Sequence, residues 1–161
     1  FWQHISNVII SDEVNYHRLQ YLIGSRIGSP WEEIGIIFKG NLDIILVWCR
    51  QNTTLAPNRI VLLAPIFDKS KGKVTWHPFT RTLIDEFGEI EGFLENLHSN
   101  FGSFSWTGSL VPLLEMKLNL VNELIEHPLN KVREWANYMI PLLRSELKRE
   151  HFEDEERYLN I

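Results

Sequence analysis

Apolar residues in the last third of the chain recur at helical intervals. Val111, Leu114, Leu118, Val121 and Ile125 are separated by 3, 4, 3 and 4 residues, which places them on one stripe of a helix. Val132, Ala136, Met139 and Leu143 follow at steps of 4, 3 and 4, a second stripe on a second helix. Pro112 is tolerable because it falls in the first turn. The link between the two stripes is short, so the pattern predicts an antiparallel helical pair.

Upstream, helix starts and stops recur while strand-like alternation does not persist. In "GSPWEE" Ser29 can cap, Pro30 suits the first helical position, and Glu32 completes a capping box. Ile34, Ile37 and Phe38 then share a face, and Gly40 offers a left-handed stop. Further helices are expected in "NLDIILVWCRQN", in "APNRIVLLAPIF" up to a kink or end at Pro65, and in "HPFTRTLIDEFG" from Pro78 to Gly88. "EIEGFLENLHSN" reads as another, weakened by an interior Gly92 that costs about 1 kcal/mol relative to Ala. "DKSKGKVT" reads as an exposed loop. "FGSFSWTGS" reads as a second loop whose Phe101, Phe104 and Trp106 plug into a core edge, with a binding role as the alternative for Trp106.

The break "EHPLNKVREWA" has a chemistry of its own. Pro128 ends the first helix by pushing His127 out of helical geometry. Asn130 is placed to cap the second helix, and Val132 to enter the core. Ala136 would let a neighbouring helix approach closely. Arg133 lies where its stem can pack and its head can reach carbonyls of the turn. Pro141, well inside the second helix, predicts a bend. The charged stretch Ser145 to Tyr158 is expected to continue as a solvated, fraying helix that adds little stability.

The stretch "LIEHPLNKVREWA" resembles the turn and second-helix start of a HEAT-like repeat. That likeness implies an all-α chain of antiparallel helix pairs stacked as a HEAT-like α-solenoid. Residues 1–68 would be less regular helices, 69–76 a loop, and 77–161 clearer helix pairs with a charged tail, all in one helical-repeat region. From "WHPFTRTLIDEFG" through "SFSWTGSLVPLLE" to "HPLNKVREWANYMIPLL" the sequence is similar to the C-terminal helical ends of large bacterial antiphage defence proteins, STAND-type NTPases and sirtuin-containing effectors. In those families such repeats sense a viral protein or support an assembly. The matched positions are turn and core residues, so no binding residue is carried over.

Composition narrows the chemistry. Hydrophobic residues make up 44% of the chain, ordinary for a globular protein. No apolar run approaches the roughly 20 residues of a membrane span. The chain lacks an initiator Met and a signal peptide, which is the pattern of a piece of a longer polypeptide. The single Cys49, in an apolar setting, fits a reducing cytoplasm and a packing role. Residues 1–82 carry 9 basic and 6 acidic side chains, net +3. Residues 83–161 carry 7 and 15, net −8, completing the total of −5. That balance argues against nucleic acid as a ligand, since phosphate neutralisation dominates such binding.

No phosphate-binding loop, zinc motif or nucleophile elbow is present in the sequence. No catalytic, cofactor-binding or metal-binding residue is therefore assigned. Glu123 with His127, and His151 with the Glu153 to Glu156 run, read as solvated or helix-end residues rather than ligands. The expected role is non-catalytic recognition or scaffolding of protein, with a partner protein or neighbouring domains of the same polypeptide as the ligand. Lys69, Lys71, Lys73 and Trp106 are the candidate contact residues. A HEAT-like DNA glycosylase is the enzymatic alternative, and a segment that only packs on its neighbours is the third.

Overall fold

A computed structural model of the chain describes residues 6–7, 38, 40–70, 72–102 and 108–159. The chain forms two compact units, Phe1–Ser105 and Trp106–Ile161. Among the described residues the first unit contains α1 (Leu42–Gln51), α2 (Ala56–Val61), β1 (Phe67–Ser70), β2 (Lys73–Trp76), α3 (Pro78–Phe87) and α4 (Phe93–Gly102). The second contains α5 (Val111–Asn122) and α6 (Asn130–Leu159). The helix expected from Ser29 lies outside the described residues. Its stop, Gly40, has φ +77°.

The all-α solenoid expectation is corrected on two counts. First, the stretch expected to be a loop forms an antiparallel β-hairpin, with Phe67 opposite Trp76 and Ser70 opposite Lys73. Between the strands Gly72 takes φ +79°, the conformation that a tight hairpin turn demands. Two short strands alone are marginal. Here the indole of Trp76 stacks on Phe101 of α4 at 5.5 Å, and Phe67 meets the same ring at 6.1 Å. The backbone N–H of His77 extends the pairing to the carbonyl of Ile66 at 2.7 Å.

Second, the helices of this unit do not stack as successive pairs. The six-residue α2 is their hub: α1, α3 and α4 all pack against it. Its Ala56, Pro57, Ile60 and Val61 are all buried, so little of it is left for solvent. Asn100 of α4 ties the arrangement together. Its side-chain amide donates to the carbonyls of Val61 and Ala64, which the end of α2 leaves without helical partners. Thr80 likewise donates to the carbonyl of Pro65. The core is completed by Phe38, Ile45, Cys49, Leu83, Phe93 and Leu97, with Phe38 edge-on to Phe79 at 5.5 Å. On the outside, Arg50 of α1 forms a two-pronged ion pair with Glu86 of α3.

Gly92 precedes α4 rather than interrupting it. It has φ +79°, and its carbonyl accepts the Asn96 N–H, so it acts as a start and not as an interior defect.

The second unit is the expected antiparallel pair. Val132, Ala136, Met139 and Leu143 of α6 are all buried. On α5 the buried set is rotated from the expected stripe: Leu113, Met116, Lys117 and Leu120 are buried with Leu114 and Val121, and past its end Leu124 is buried while Ile125 is exposed. α6 runs unbroken through Pro141 to Leu159.

Candidate interaction surface

The outward face of α6 is held in place from both ends of the α5–α6 pair. At the turn, Arg133 donates to the carbonyls of His127 and Pro128 at 2.6 and 2.9 Å, and to the side-chain oxygen of Asn130 at 2.9 Å. These are the carbonyls its position in the sequence predicts. The expected cap by Asn130 is replaced. The carbonyl of Leu129 accepts the first helical bond, from Arg133 N–H at 3.2 Å, so Leu129 is the boundary residue. Its own N–H is taken by Nδ1 of His127 at 3.1 Å. The first unit repeats the device at α3: in "HPF" Nδ1 of His77 accepts the N–H of Phe79 at 3.2 Å. In both places a proline follows the histidine and the imidazole is buried.

At the far end, the charged half of α6 is anchored rather than frayed. Glu150 is buried and accepts the backbone N–H of Leu110 at 3.2 Å, satisfying a donor at the start of α5. Asp154 accepts the hydroxyl of Ser109, whose oxygen in turn accepts the N–H of Val111. Arg157 reaches Glu150 at 3.5 Å and Asp154 at 3.0 Å.

With both ends fixed, α6 presents Tyr138, Leu142, Phe152 and Leu159 on the side away from its buried face. Their exposures are 63%, 40%, 61% and 84%. Of the nine large apolar side chains exposed among the described residues, these four share one helix. Single exposed apolar residues are ordinary, whereas an aligned set marks a surface with something to bury.

Of the sequence-derived contact residues, Lys69 and Lys73 lie among the described residues. Lys69 and Lys73 are exposed on β1 and β2. Lys69 pairs with Val74 and Lys73 with Ser70. Neighbouring cross-strand pairs point to opposite faces, so the two lysines lie on different sides of the hairpin. Lys71 and Trp106 lie outside the described residues. The α6 stripe was legible as residues but not as a surface. A run of four apolar side chains within charged sequence signals exposure only once the opposite face is known to be buried.

The titratable groups offer a few environments out of the ordinary. Burial pushes the Cys49 thiol up to about 12, with Glu86 adding to the effect, which leaves it protonated and unreactive. Burial lowers His77, partly offset by Asp68. Burial also lowers Lys117, against the pull of Glu146. His127 spends Nδ1 on Leu129, while Glu123 is exposed. No group of three or more metal-ligating side chains occurs among the described residues, nor any helix long and apolar enough to cross a membrane. Compared with known proteins, the chain matches no family model, no curated protein and no solved structure.

Proposed function

We propose that this chain is a protein-recognition or scaffolding segment of a larger bacterial protein, and that the outward face of α6 is its contact surface. The observation that carries this reading is the alignment of Tyr138, Leu142, Phe152 and Leu159 on a helix anchored at both ends. A rigid helix face with spaced apolar anchors is a common way to bind a protein partner. The resemblance of the stretch from "WHPFTRTLIDEFG" to "HPLNKVREWANYMIPLL" to the helical ends of antiphage defence proteins supports a sensing or assembly role in that setting.

The test is the size of the complex that the chain forms in its source cells, compared with a Tyr138→Glu/Phe152→Glu variant. Both side chains are exposed, so helical content is expected to stay within about a tenth of the original. The reading requires an assembly that shrinks in the variant. An assembly of unchanged size, or none in either case, removes α6 as the contact surface.

A further inference from the structure

We infer that the occupant of the α6 face is a second copy of this chain, docked antiparallel along the helix. This inference rests on the preceding reading of α6 as a contact surface.

The exposed positions keep a stricter spacing than a general apolar face. From Tyr138 the outward line passes Leu142, Ser145, Arg149, Phe152, Glu156 and Leu159, at steps of 4, 3, 4, 3, 4 and 3. All four exposed apolar residues of α6 fall on this line, which has the spacing of a two-helix coiled-coil seam and lies on the side of α6 away from Val132, Ala136, Met139 and Leu143. One helix therefore carries two seams, one filled by α5 and one open.

Charge on the open seam selects the orientation. In a parallel pair identical positions meet, so Arg149 would face Arg149 of the partner subunit, and Glu156 would face Glu156 of the partner subunit. Like charges across a seam are strongly disfavoured. Reversing one helix about an axis between residues 150 and 151 removes both clashes. Leu142 then lies opposite Leu159 of the partner subunit. Arg149 lies against Phe152 of the partner subunit, a cation on an aromatic face. Glu156 meets the hydroxyl of Ser145 of the partner subunit.

The flanks contribute as well. Lys148 comes beside Glu155 of the partner subunit, twice by symmetry. Glu146 comes beside Glu153 of the partner subunit, an unfavourable contact between two exposed groups that solvent screens. The same surface patch serves both subunits, so the contact closes as a two-fold dimer.

Two measurements test this. Sedimentation over a concentration series is expected to show the mass doubling, with Leu142→Lys shifting the midpoint to at least tenfold higher concentration while helical content is kept. Cysteine pairs then fix orientation, in a Cys49→Ala background so that the buried thiol cannot interfere. A chain carrying both Ser145→Cys and Glu156→Cys is expected to form a disulfide-linked dimer on oxidation, whereas Leu142→Cys alone is not. A strong dimer band from Leu142→Cys alone overturns the antiparallel arrangement. A chain that stays monomeric throughout the series overturns the second copy as occupant. The proposed function survives that result only if the cellular assembly still shrinks in the Tyr138→Glu/Phe152→Glu variant, so the two failures are separable.

Discussion

The guanidinium of Arg133 and the carbonyl of His127 meet at 2.6 Å, six residues apart, across the turn that joins α5 to α6. The same side chain also holds Pro128 and Asn130. A charged donor shared among the carbonyls of the turn holds the start of α6 in place. Arg133→Met keeps the stem and removes the donors, and is expected to lower stability by about 1 kcal/mol. Arg133→Lys, with a point charge in place of a fork, should recover less than half of that. Urea unfolding midpoints of the three proteins decide it. Equal midpoints would mean that the turn holds without the guanidinium.

Acid should weaken the first unit through His77. Its Nδ1 accepts the Phe79 N–H, and burial holds the imidazole below its usual range. The folded state therefore binds a proton less readily than the unfolded one. The stability contributed by neutral His77 is whole above about pH 6.5 and is lost as pH falls from there through the lower folded value. Asn offers a capping oxygen in place of Nδ1 and does not titrate. His77→Asn is thus expected to flatten the acid side of the stability profile, measured by thermal unfolding from pH 7.5 to 4.5. A profile as steep as the original would assign the acid loss to other groups.

Cys49 should be silent to thiol reagents. It is fully buried, and its thiol is pushed up to about 12. The native protein at pH 8 is expected to release no chromophore from a disulfide reagent until denaturant is added, when one equivalent appears. Labelling at the rate of a free thiol would show that the packing around α1 opens readily.

The hairpin can be tested at its turn. Gly72 has φ +79°, and a β-carbon there would touch nothing within 4 Å. The cost of a side chain is therefore backbone strain alone, about 1–2 kcal/mol for most residues and less for Asn. Gly72→Val is expected to destabilise by that amount, and Gly72→Asn by under half of it, in equilibrium unfolding. Equal, negligible effects would argue against the tight turn.

Local signals carried some of this architecture, and tertiary ones carried the rest. The α5–α6 pair was legible because Val132, Ala136, Met139 and Leu143 repeat on one face, and because Arg133 sits one turn past a proline break. Its details were not. Periodicity places Val111, Leu118 and Ile125 on a stripe, but α5 buries a broad sector centred on Leu113, Lys117 and Leu120, with a lysine inside it. The β-hairpin was missed because "DKSKGK" is polar and short, and polarity alone reads as loop. The informative residues were Gly72 between two strands and the β-formers Val74, Thr75 and Trp76. The solenoid expectation failed for a related reason. Helix lengths and stops resemble stacked pairs, yet the short α2 draws α1, α3 and α4 onto itself. The candidate contact residues were chosen for charge and aromaticity, and pairing register separates Lys69 from Lys73.

The stacking of Trp76 on Phe101 also has a consequence in time. The ring that secures the hairpin lies 25 residues (101 − 76) further along the chain. During synthesis both strands leave the ribosome before their anchor is made, at a stage when two short strands hold together only marginally. The hairpin is thus completed late, when α4 arrives, and its stability depends on closing this loop as well as on the turn at Gly72.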